Sequence, residues 1–158
     1  MDITHHTQIR SPRMAPATEK MVLDVLDRNA FAQLLRRSGL LKERQIEQAL
    51  QRAMPRDRAL DFASLLVHEG LLTSFQASEL LAGRWAGFVL GPYRILDRID
   101  RGGMGNVFRA MHTVMSREVA LKAIPVDLIR ERRTRLQFRN EIRTMSGMHH
   151  PHIVLAYD

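Results

Sequence analysis

The chain has 158 residues with 24 Lys+Arg against 17 Asp+Glu, a formal net charge of +7 and no Cys. An apolar fraction of 45% beside 26% charged residues is a globular composition, so a disordered polymer and a fibrous repeat are both excluded. The lack of Cys removes disulfides, thiolate metal sites and a cysteine nucleophile. No stretch approaches the roughly 18 apolar residues of a membrane span, and no apolar signal core opens the chain, so a soluble, cytoplasmic protein is expected. A pI near 10.9 raises nucleic acid as a partner. The arginines are scattered apart from a cluster at 130–143, and no helix-turn-helix, zinc or RNP signature accompanies them. No nucleic-acid partner is therefore expected.

Residues 1–18 mix Pro, Thr, His and Arg without apolar periodicity and read as a disordered leader. From 19 to 84 the periodicity is helical and the sequence repeats. FAQLLRRSGLLKERQIEQAL (31–50) aligns with FASLLVHEGLLTSFQASELL (62–81) without a gap, matching Phe31 with Phe62, Leu35 with Leu66, Gly39 with Gly70 and Gln45 with Gln76. Each copy reads as helix, Gly stop, two leucines, helix, the glycines suiting a left-handed position after a helix end. Thr73 with Gln76 forms a capping-box pattern, which Lys42 breaks in the first copy. The repeat resembles the N-terminal helical modules of type II secretion ATPases, some of which bind cyclic dinucleotides. The Arg and Gly that open those motifs are absent here, since Ala30 and Asp61 precede the two Phe residues. The plain alternative is a four-helix module for packing or partner docking.

After Gly83 the texture changes to Gly and alternating apolar residues. Strands are predicted at about 93–100, 106–112 and 117–124, the last two joined by a turn near Met115 and Ser116. An Arg-rich helix follows at about 131–148, and the apolar residues after Pro151 begin another strand. Gly102, Gly103 and Gly105 form a Gly-rich turn between strands, where backbone N–H groups can approach phosphate oxygens or simply turn the chain. In EVALKAI the alternation puts Ala120 and Lys122 on one face and Val119 and Leu121 on the other. A lysine inside an apolar strand needs an anionic partner or a route to the sheet edge. Glu141 sits at the border of the helix stripe Phe138, Ile142, Met145, positioned to supply that partner or to remain a solvated carboxylate.

IDRGGMGNVFRA, then VALK, then the inward Glu, then HHPHIV resemble the N-terminal lobe of bacterial Hanks-type serine/threonine protein kinases. Lys122 lies 17 residues after Gly105, and Glu141 a further 19 on. The resemblance implies an antiparallel sheet and its helix, which with the all-α helical repeat read ahead of them makes an α+β fold. It implies that the backbone of Gly102, Gly103, Met104 and Gly105 covers the ATP phosphates and that Lys122 holds the α- and β-phosphates, oriented by Glu141. Val107 and Ala120 would line the adenine pocket, and Mg²⁺ would arrive with the ATP. His149, His150 and His152 fit the family's turn after the helix better than a metal site. Asp100 departs from the pattern, a carboxylate where the family has its first loop glycine. The resemblance covers 93–158, without the H-R-D and D-F-G motifs. The sequence therefore reads as a truncated kinase that needs a C-lobe or another protein partner for phosphoryl transfer. The competing reading is a docking module carrying a kinase remnant.

Overall fold

The computed structural model describes residues 27–54, 57–102, 105–124 and 130–146. Among these residues four short helices come first: α1 (Arg28–Ser38), α2 (Glu43–Arg52), α3 (Ala59–His68) and α4 (Ser74–Leu81). A four-stranded sheet follows, with β1 (Val89–Leu90), β2 (Tyr93–Gly102), β3 (Gly105–His112) and β4 (Arg117–Ala123), and then α5 (Arg132–Ser146). The sheet is antiparallel throughout in the order β1-β2-β3-β4.

Each helix begins and ends for a local reason. Asp27 accepts the Ala30 N–H at 2.7 Å to open α1. Gly39 and Gly70, at φ 69° and 68°, take the left-handed conformation after α1 and α3. The capping box of α4 is complete: Thr73 Oγ1 accepts from the Gln76 N–H at 3.1 Å, and Gln76 Oε1 accepts from the Thr73 N–H at 2.9 Å. At α2 the expectation of no box needs correction. Lys42 has no acceptor to offer, but Gln45 Oε1 still accepts the Lys42 N–H at 3.0 Å, so the reciprocal half survives.

The helices bury one apolar stripe each around Phe31, Leu35, Ile46, Phe62, Leu66 and Leu80, all fully enclosed. Phe31 and Phe62 meet edge to face with centroids 6.0 Å apart. The Arg28 guanidinium donates to the carbonyls of Ala53 and Met54 at 3.3 and 2.8 Å, tying the start of α1 to the end of α2. This core does not stop at the helices. Phe88, Ile95 and Ala110 belong to it, and Phe108, Val119 and Leu121 pack against it, so one side of the sheet is covered by the helical unit.

The strands fall at 93–102, 105–112 and 117–123 and the helix at 132–146, close to the sequence expectation; the strand expected after Pro151 lies outside the described residues. The β3–β4 connection is the expected tight turn, with Ser116 at φ 50° and His112 Nδ1 accepting the Met115 N–H at 3.1 Å. Two features are additional. The short strand β1 pairs with the start of β2, and β2 carries register shifts between Ile95 and Asp97 and between Arg98 and Asp100. No described helix is long and apolar enough to cross a membrane.

Phe62→Ala removes the ring that faces Phe31 and leaves a cavity among helices too tightly held to close it. A loss of about 3–5 kcal/mol is expected, measured as a lower urea midpoint at unchanged slope; a loss below about 1 kcal/mol would mean the site collapses freely.

Candidate functional site

The register of the sheet decides which side chains share a face, because residues directly opposite in adjacent antiparallel strands point the same way. On the side covered by the helices the rows are Ile95, Ala110 and Val119, then Arg98, Phe108 and Leu121. On the opposite side the rows are Asp97, Arg109 and Ala120, then Asp100, Val107 and Lys122. That second face is open: Ala120 and Asp100 are exposed, and Val107 and Lys122 are half-buried.

Five of the residues expected from the sequence are therefore placed together. Val107 stands beside Lys122, and Ala120 lies one row along on the same face. Gly102 pairs with Gly105 across the tip of the β2–β3 hairpin, leaving a two-residue connection at that end of the row. Gly103 and Met104 lie outside the described residues. Glu141 falls within α5, and its side chain likewise lies outside them, as do His149, His150 and His152.

Gly105 is required at its position by two independent facts. Its φ of 149° is a conformation that residues with a side chain seldom adopt. A Cβ built there would also collide with the Ala123 carbonyl oxygen of β4. The close approach holds the hairpin tip against the end of the strand that carries Lys122, since Asn106 pairs with Ala123 and Val107 with Lys122.

The open face also carries charges that the motif reading overlooked. Arg109 Nη1 meets Glu118 Oε1 at 3.1 Å, and its Nη2 lies 3.9 Å from Asp97 Oδ2. These groups are each about half exposed, so the pairs contribute little stability, and their effect is to occupy the Arg109 guanidinium beside Ala120. The sequence signal for Arg109 was its two-residue spacing from Val107. Asp100 stands in the Lys122 row, with only the Val107 strand between them. At about 4.8 Å between strands, their backbones are separated by roughly 10 Å, a gap that a lysine stem and a carboxylate largely span. A face with one lysine near the tip of a glycine hairpin, bordered by small and aliphatic side chains, suits an anion attached to a flat apolar group. A concave groove of about 370 Å³ elsewhere on the molecule, between α3 and α4, is lined by Leu60, Ala63, Val67, His68, Ala77 and Leu81, with no Lys or Arg in its lining.

No protein-family model matches the chain. Individual relatives do. The chain is 37% identical over 78 residues to the serine/threonine-protein kinase PksC of Streptomyces coelicolor, a match covering 48% of this chain and 14% of that kinase. It is 39% identical over 70 residues to the serine/threonine-protein kinase PrkC of Bacillus subtilis, covering 44% and 11%. It is 39% identical over 72 residues to the serine/threonine-protein kinase PknE of Mycobacterium tuberculosis, covering 46% and 13%. The chain thus spans only a small part of the length of these relatives. Its matched part resembles the N-terminal part of bacterial Hanks-type serine/threonine protein kinases, and its antiparallel sheet followed by α5 is compatible with a partial kinase N-lobe.

Proposed function

We propose that the open face of the sheet is the nucleotide-binding half of a protein kinase, with ATP as its ligand. The observation that carries this reading is the row in which Val107 and Lys122 stand side by side at the end of the Gly102–Gly105 hairpin, on the face opposite the one packed against α1–α4. On this reading the Lys122 ammonium meets the α- and β-phosphates. The backbone of Gly102, Gly103, Met104 and Gly105 closes over them, and Val107 and Ala120 flank the adenine. Glu141 orients Lys122 from α5. Among the described residues there is no cluster of three metal-ligating side chains. Mg²⁺ would come with the nucleotide, where it offsets phosphate charge. The residues of this chain bind and orient; a catalytic base and metal ligands would have to come from a C-lobe or another protein partner.

The helical unit is read as the two-copy module of the 31-residue offset. Phe31 and Phe62 are both fully buried, as are Leu35 and Leu66, and Gly39 and Gly70 share one backbone conformation. In this chain the module serves as a wall behind the sheet.

Lys122→Met removes a charge-assisted contact to phosphate. The affinity for MgATP, measured by titration calorimetry, is expected to fall about 10- to 100-fold at unchanged thermal stability. Equal binding by wild type and variant, or none by either, would sink the nucleotide reading in favour of partner docking.

Asp100→Asn removes a carboxylate from the row that holds Lys122. Binding should tighten by about two- to tenfold, and more for metal-free ATP than for MgATP, because the uncompensated phosphate charge feels the repulsion most. Gly105→Ala should act in the opposite direction. The added Cβ pushes the hairpin tip off Ala123, lowering stability by about 1–3 kcal/mol and weakening nucleotide binding together.

A further inference from the structure

We infer that Thr73 and Gln76 are positioning residues that latch the first bulge of β2, so that the helical unit sets from behind which β2 side chains face Lys122. This rests on the nucleotide reading only where affinity is concerned; the latch itself is a property of the fold.

Each of the two side chains does two jobs at once. The lone pairs of Thr73 Oγ1 accept the Gln76 N–H at 3.1 Å, while its only proton goes to the Leu96 carbonyl at 2.6 Å. Gln76 Oε1 accepts the Thr73 N–H at 2.9 Å, while Nε2 donates to the Ile95 carbonyl at 2.6 Å. Gln76 is 3% exposed, so its amide has no water to fall back on. The acceptor half of the pair caps α4; the donor half holds β2.

The two carbonyls it holds lie where the ladder fails. The register jumps between Ile95 and Asp97, leaving Leu96 without a partner in β3. A bulge leaves its extra residue unpaired and turns the strand. Here Thr73 satisfies the stranded Leu96 carbonyl. Phe75, between the two latch residues, packs against Phe88 and Phe108 with centroids 6.5 and 6.3 Å away, and the Arg98 guanidinium lies 5.8 Å from its ring. The latch therefore sits over the stretch of β2 that contains both register shifts.

Those shifts determine the open face. They bring Asp97 opposite Arg109 and Asp100 opposite Val107. A slip of one residue at the latched bulge would turn the following side chains to the other face, exchanging Arg98 for Asp97 beside the site. The helical unit thus has a route to the hairpin that ends in Gly102 and Gly105 without touching a nucleotide.

The test separates cap from latch. In the double variant Thr73→Asp, Gln76→Glu both side chains still accept, so the capping box remains, but neither has a proton to donate to β2 at neutral pH. Amide hydrogen exchange of the full chain, without ligand, should show α4 protected as in wild type and the β2–β3 hairpin exchanging about tenfold faster or more. MgATP affinity should fall by about fivefold or more, while Thr73→Ser, which keeps both bonds, should behave as wild type. Unchanged hairpin exchange in the double variant would overturn the proposal. If the double variant loses α4 protection as well, the single variants decide. Each should loosen the hairpin at an intact α4, and equal loosening of both elements would overturn the latch. Wild-type protein that binds no MgATP would remove the nucleotide reading and leave the exchange result to decide the latch alone.

Discussion

The register of β2 against β3 is the constraint on which the open face depends. β4 follows β3 without interruption, pairing Val107 with Lys122 and Arg109 with Ala120, so the position of Lys122 is fixed once β3 is fixed. β2 is different, because two register shifts interrupt its ladder. Backbone groups released at such places must find partners, since a buried unpaired carbonyl costs as much as a lost hydrogen bond. At Ile95 and Leu96 the partners come from the N-terminus of α4. The helices and the sheet are consequently joined by a shared apolar core and by directional bonds that fix one strand's phase.

Much of this was legible in the sequence where local rules suffice. The left-handed stops at Gly39 and Gly70, the capping box of Thr73 and Gln76, the strands and the turn near Ser116 each depend on a few neighbouring residues. The alternation in EVALKAI correctly separates Lys122 from Leu121, because β4 is regular. In β2 alternation misleads. Leu96 and Ile99 are apolar residues at the two shifts, and Ile99 is 59% exposed. Only the pairing with β3 reveals that positions 97 and 100, three apart, look the same way. The second use of Thr73 and Gln76 was invisible for a similar reason: the acceptors they donate to lie some twenty residues away, in a different kind of element.

The basic composition is handled in two ways. In the helical unit, arginines pair with nearby carboxylates at the surface, as in Arg36 with Glu43 at 2.7 Å and Arg84 with Glu79 at 2.7 Å. The Arg36 guanidinium, donating to both carboxylate oxygens, holds Glu43 below the usual carboxylate range. The exposed Arg36–Glu43 pair adds little to stability, and both pairs lower the local excess of positive charge. On α5, Arg132, Arg135, Arg139 and Arg143 follow at spacings of three and four, which places them along one side of the helix.

Charge on the open face follows the same logic at closer quarters. Arg109 is engaged by Glu118 and Asp97, so the guanidinium nearest Ala120 is already committed to carboxylates. Lys122, one row further toward the hairpin tip, shares its row with Asp100. On the nucleotide reading, an arriving phosphate would compete with that carboxylate for the same end of the sheet, with the greatest advantage when a divalent cation accompanies it. The carboxylate would then repel a less charged ligand. A glycine at position 100 would bind nucleotide more indiscriminately. On the nucleotide reading, with Asp100 held in that row by the β2 register, discrimination between metal-bound and metal-free nucleotide would become a property of the bulges, and so of the helices that secure them.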